Sequence, residues 1–181
     1  MAVDAATEAV LRAFAAERRY HPETVARWLR LAPADAGALL DLAKELRLGE
    51  HQLCDLWIWA EEVGARERSG VAGVLAHTTV TAARRRPVGR NDRVKLVKGA
   101  LRRLRFPQLS ALEDQLAGEV RRLELPANVR VTLPDNLEGD TIRIDITAGS
   151  AAALRAAAAA VIAATDSSAC ARLFELLAEA S

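Results

Sequence analysis

Apolar residues recur at three- and four-residue spacing over most of the chain, the period of an amphipathic helix. The stretch from Val3 to Arg19 carries Val10, Leu11 and Phe14 on one side. Pro22 suits a first helical turn, and a short helix through Trp28 and Leu29 follows. Pro33 opens another, with Leu39, Leu40, Leu42, Ala43 and Leu46 apolar. Gly49 breaks the chain. Glu50 to Ala65 resumes it with Leu53, Leu56, Trp57, Ile58 and Trp59, and Ser69-Gly70 is a second break. A short apolar helix is expected from Val71 to Leu75, and Thr78 or Thr79 caps the next, ending near Arg86 and Pro87. Asn91 or Asp92 is the expected cap of a basic helix that reaches Arg105 and stops at Phe106-Pro107. Ser110 and Glu113 have the spacing of a capping box for a helix with Leu112, Leu116, Val120 and Leu123, ended by Pro126.

The period then shortens to two. Val129, Val131 and Leu133 alternate with Arg130 and Thr132, and Ile142, Ile144 and Ile146 alternate with Arg143 and Asp145. Each run predicts a strand with one buried face, joined by a turn over Pro134 to Asp140. An Ala-rich helix from Ser150 to Ala164 follows, and after Thr165 to Ser168 a last helix carries Leu173, Phe174, Leu176 and Leu177. The expected fold is mainly α: a helical N-terminal bundle over residues 1–106 and a small α-β-β-α unit over residues 107–181. A two-stranded sheet leaves its edges open unless a second copy covers them. A homodimer through Val129, Val131, Ile142, Ile144 and Ile146 is therefore expected.

Composition narrows the class. Aromatic residues make up 4% of the chain, so the core rests on Leu, Val and Ala. Two cysteines, Cys54 and Cys170, are too few for a secreted disulfide scaffold. Met1 to Arg12 contains acids and no long apolar run, and the tract Ala156 to Ala164 is about half a membrane span. A cytoplasmic protein with no membrane partner is expected. No nucleophile, base and orienting group stand together, which argues against an enzyme. His51 and Cys54 have a ligand-like spacing, but His77 and Cys170 are isolated, so no metal or cofactor is expected. Asp135, Glu138, Asp140 and Asp145 crowd the hairpin without the spacing of a calcium loop. Trp57 and Trp59 cannot face the same way, which leaves one of them for a contact.

Charge is the uneven feature. Residues 84–105 hold ten basic side chains and one acidic one, while the segments before and after are net acidic. Arg84, Arg85 and Arg86 precede Pro87; Arg90, Arg93, Lys95, Lys98, Arg102, Arg103 and Arg105 follow. On a helix, Val94, Val97, Leu101 and Leu104 form a buried stripe, with Lys95, Lys98, Arg102 and Arg105 as a cationic row beside it. Such a row can follow phosphates without reading bases. It can equally pair with the acidic flanks, dock an acidic protein, or meet a membrane surface.

Leu42 to Leu56 has the spacing of a helix-turn-helix, with Ala43 where the helices touch and Leu42, Leu46, Leu48, Leu53 and Leu56 between them. The turn position that usually holds Gly is Arg47. The second helix would expose Glu50, His51, Cys54, Asp55, Glu61 and Glu62, which would repel phosphate. An ordinary αα-hairpin, a relic that no longer reads bases, and a working reader all remain open.

The order of these parts resembles the ParB family of chromosome- and plasmid-partition proteins. Ser110 to Leu123, Asn128 to Leu133, Thr141 to Ile146 and Ser150 to Ala164 follow that family's C-terminal helix, strand, strand, helix order. The likeness covers roughly residues 33–164 and is architectural. It implies a C-terminal unit that dimerises. The family's Gly-Glu-Arg-Arg box is absent, so the resemblance implies a truncated or divergent relative that neither binds CTP nor reads a partition site. The expected function is non-enzymatic, sequence-nonspecific DNA association. The alternative is an adaptor whose basic helix docks an acidic protein.

Overall fold

Short-range chemistry sets the helix starts in the computed structural model, which describes residues 4–134, 137 and 139–180. Helix α1 (Ala5–Glu17) begins where the Asp4 carboxylate accepts from the backbone N–H of Ala6 at 3.1 Å and Thr7 at 3.0 Å. These bonds hold Asp4 below the usual carboxylate range, the Thr7 backbone N–H first among them. Helices α2 (Pro22–Trp28) and α3 (Pro33–Glu45) each open on the proline that the sequence marks. Helix α4 (Glu50–Glu67) follows Gly49, and α5 (Gly70–Leu75) is tied down by Asp35, whose carboxylate accepts from the Ala72 N–H at 2.7 Å. Gly70 sits at φ +65 with its backbone against α4: a Cβ on Gly64 would stand 2.7 Å from the Gly70 carbonyl oxygen. Helices α6 (Thr78–Arg84), α7 (Arg90–Arg105) and α8 (Pro107–Arg122) precede strands β1 (Val129–Thr132) and β2 (Arg143–Ile146). Helices α9 (Ala151–Thr165) and α10 (Ser168–Ala180) complete the described chain, which is mainly helical. Among the described residues no single helix is long and apolar enough to cross a membrane.

The chain divides into two compact units between Phe106 and Pro107. The first has one continuous core. Leu11, Leu39, Leu42, Leu46, Leu48, Leu53, Leu56, Val63, Val97 and Leu101 are fully enclosed. An aromatic series runs through it: Phe14 meets Tyr20 edge-on at 5.9 Å, Tyr20 stacks on Trp28 at 6.3 Å, and Trp28 lies 6.2 Å from Trp57. Trp57 is the buried member of its pair; Trp59 is half-buried beside α7.

The second unit pairs α8 with α10 over a small core of Leu116, Leu137, Leu173, Leu176 and Leu177. Strands β1 and β2 are antiparallel, with Val129 opposite Ile146 and Val131 opposite Ile144. Among the described residues they form a two-stranded sheet, and each strand has an unpaired edge.

Several expectations need correction. Helix α8 starts on Pro107, so Ser110 is not a cap and forms no capping box with Glu113; it is enclosed within the helix. Proline at the first position presets the helical φ three residues earlier than the serine could. Helix α7 is capped by Gly89, not Asn91 or Asp92. Helix α6 is capped by His77, whose Nδ1 accepts from the Thr79 N–H at 3.3 Å, not by Thr78 or Thr79. Ile142 precedes β2 and packs on the core, while Ile144 is 38% exposed, so the three isoleucines do not share one buried face. Val3, Asp135 and Glu138 lie outside the described residues.

Candidate nucleic-acid interface

Helices α4 and α7 lie against each other, and their facing polar side chains meet. Lys98 Nζ is 2.9 Å from Asp55 Oδ2, and Arg105 Nε is 2.5 Å from Glu62 Oε2. Trp59 lies beneath both cations, its ring centroid 5.2 Å from Lys98 Nζ and 5.5 Å from Arg105 Cζ. Farther along, Arg66 donates to the carbonyls of Leu104 at 2.5 Å and Arg105 at 3.0 Å. Half of the expected phosphate-following row is thus engaged with the acids of α4. Lys95 stands clear, 80% exposed and 3.6 Å from Asp92, whereas Arg102 and Arg103 have partners within the chain.

The acids of α4 are accounted for in the same way. Glu61 receives Arg27 at 2.5 Å and the Trp57 indole N–H at 2.8 Å. Glu50 accepts from the Thr24 hydroxyl at 2.5 Å and the His21 N–H at 2.9 Å. The Thr24 bond leads in holding its carboxyl below the usual range. Of the six positions expected to be exposed, His51, Asp55 and Glu62 are, while Glu50, Cys54 and Glu61 are half-buried. Burial pushes the Cys54 thiol up, which disfavours the thiolate a nucleophile needs.

A second group of cationic side chains surrounds the turn between α3 and α4. Helix α3 ends in a left-handed residue, Arg47 at φ 46, with Leu48 N–H returning to the Ala43 carbonyl at 3.0 Å and Arg47 N–H to Lys44 at 3.2 Å. This is a Schellman closure, and it places φ > 0 at the helix-turn-helix position that usually carries Gly. The turn's carbonyls are bound by side chains from two other elements. Arg90 donates through Nε to Leu46 at 2.7 Å and through Nη2 to Arg47 at 2.7 Å. Arg18 donates to the Arg47 carbonyl and, at 3.1 Å, to Leu48. The Tyr20 hydroxyl also donates to Leu48, at 2.8 Å.

Two guanidinium groups therefore converge on one carbonyl oxygen. Exposed Lys44 and Arg47 border them, and a shallow cleft is lined by Phe14, Glu17, Arg18, Lys44 and Arg47. Arg84 reaches the same end of α3 and binds Glu45 through Nε at 2.9 Å and Nη2 at 2.6 Å. Exposed Arg85 and Arg86 follow Arg84 directly. Arg93 turns inward: it donates to the Val88 carbonyl at 3.1 Å, and its Nε is buried without a hydrogen-bond partner.

The structure thus brings Arg84 and Arg90 of the expected set to the end of α3, with Arg85 and Arg86 next in the chain to Arg84, and sets Lys98 and Arg105 against the acids of α4 instead. Arg18, Lys44 and Arg47 were not expected there. All three lie in the net-acidic sequence before residue 84, where Arg47 stands out only as a non-glycine residue in the turn slot. Among the described residues no three His, Cys, Asp or Glu side chains gather to hold a metal. No family model, curated protein or solved structure matches the chain.

Proposed function

We propose that this is a non-enzymatic, DNA-associated protein that holds the duplex backbone at the α3–α4 turn and works as a homodimer through its second unit. The observation that carries the reading is the convergence of Arg18 and Arg90 on the Arg47 carbonyl, with exposed Lys44 and Arg47 beside them and exposed Arg85 and Arg86 following Arg84 in the chain. Carbonyl bonds fix the two inner guanidiniums without neutralising them, so their charge still acts outward. The one acid at the end of α3, Glu45, is taken by Arg84. A positive surface drawn from α1, the turn and the α6–α7 connection suits phosphates, which carry no sequence information. A nucleoid- or partition-associated role in the cytoplasm follows from that reading and from the family-like order of elements.

The test is binding of a mixed-sequence duplex as a function of salt. Wild type should bind at low salt, and each of Arg47→Ala, Arg85→Ala and Arg86→Ala should lower the log–log salt slope by about 1. Lys98→Ala and Arg105→Ala should change it less, since both cations already face carboxylates. A triple Arg47, Arg85, Arg86 variant that binds as tightly as wild type overturns this surface. A wild type without affinity at low salt overturns DNA and leaves an acidic protein as the ligand. A consensus sequence lost on changing His51 and Gln52 overturns the nonspecific reading.

A further inference from the structure

Helix α9 is apolar over most of its 15 residues, yet Ala157 is its one fully buried residue. Ala151, Arg155, Ala158, Ile162 and Asp166 follow at intervals of four, three, four and four, which places them on one face. That face points to solvent. Ile162 is 67% exposed, and Leu154 at its border is 49% exposed. Its charges are the reverse of what α9 itself favours. Arg155 lies toward the positive N-terminal end and Asp166 caps the negative C-terminal end, with no acid in the first turn and no base in the last. Neither Arg155 nor Asp166 has an ion-pair partner among the described residues.

An antiparallel copy of the same helix satisfies all three features. We propose that a second copy of this chain packs along this face of α9, about a two-fold axis midway between Arg155 and Asp166. Each Arg155 then meets the other copy's Asp166 and the negative end of its α9, and the same contact forms twice by symmetry. Eleven residues separate the two charges, about 16 Å along the helix, so both pairs form in one register. That register sets each Ile162 beside Ala158 and Ala159 of the other copy, a large side chain over small ones. The proposal rests on the homodimer reading above and names a surface for it that excludes the β-strand isoleucines. A helix about 22 Å long offers less than the roughly 800 Å² per partner of a standard interface, so the association should be weak.

The test is sedimentation equilibrium of the full chain at tens of micromolar, with helicity followed by circular dichroism. Ile162→Glu should weaken dimerisation by about tenfold or more with helicity intact. Arg155→Asp and Asp166→Arg should each weaken it several-fold, and the double change should restore it, because the two signs are then exchanged. Dimerisation unaffected by Ile162→Glu, or no recovery in the double variant, overturns the α9 contact. If Ile144→Asp dissociates the dimer while every α9 variant leaves it intact, the homodimer stands and this surface does not. A monomeric wild type overturns both.

Discussion

The two units spend their apolar residues differently. The first also shows Val10, Ile58, Leu96 and Phe106 to solvent, but it sets them against an enclosed core that includes two tryptophans and ten leucines. The second encloses a cluster of five leucines and leaves Ile144, Leu154, Ile162 and Phe174 at least 38% exposed. Small domains bury a smaller share of their surface and sit close to the limit of independent stability. The second unit thus sets a much smaller enclosed core against the same number of exposed large apolar side chains.

The strongest way to break this comparison is through the core of the first unit. Trp28 is fully enclosed, and its indole N–H donates to the Ala36 carbonyl at 3.2 Å. Trp28→Ala should cost about 3–5 kcal/mol, read as a large fall in the denaturation midpoint. The second unit's melting temperature, by contrast, should rise with protein concentration while the first unit's stays constant. Two transitions that are both independent of concentration would remove the distinction.

A smaller effect belongs to pH. Burial pushes the Tyr20 phenol up to about 12, from an ordinary value of 10.0. The unfolded chain therefore ionises first, so the contribution is complete below pH 10 and is lost as pH rises toward 12. Tyr20→Phe should flatten the first unit's alkaline loss while removing the hydroxyl bond to Leu48. Coincident alkaline profiles for the two proteins would exclude Tyr20 as the cause.

The smallest expected change sharpens the picture of the second unit. Ser110 is 4% exposed, and its Oγ has no hydrogen-bond partner. Ser110→Ala should stabilise that unit by about 1 kcal/mol, because an unsatisfied buried hydroxyl is lost. A destabilised variant in urea titration would mean that the hydroxyl is satisfied in solution.

Much of the helical order was legible because periodicity is a local signal. Pro22, Pro33 and the Phe106-Pro107 step mark their boundaries through φ alone. The starts of α6, α7 and α8 differ from those the sequence predicts because Thr, Asn, Asp and Ser all make plausible caps, and the choice among them is made by neighbouring structure. Arg90 illustrates this. It is the first residue of α7, and its guanidinium is anchored on the α3–α4 turn, more than forty residues earlier in the chain. The cationic end was legible only in part for the same reason. Arg84 to Arg86 cluster in sequence, whereas Arg18 and Arg47 join them only through tertiary packing. Of the charge row on α7, Lys98 and Arg105 meet acids that come from α4, a pairing that sequence spacing does not reveal.

The αL turn at Arg47 has a consequence for proteolysis. A trypsin-like protease selects an exposed arginine and then needs that residue's own carbonyl oxygen in its oxyanion hole. Arg47 offers the side chain, but its carbonyl is already occupied by Arg18 and Arg90. The Arg47–Leu48 bond is therefore withheld from cleavage while the charge stays on display. Loosening both clamping arginines would free that carbonyl without moving the residue that attracts the protease.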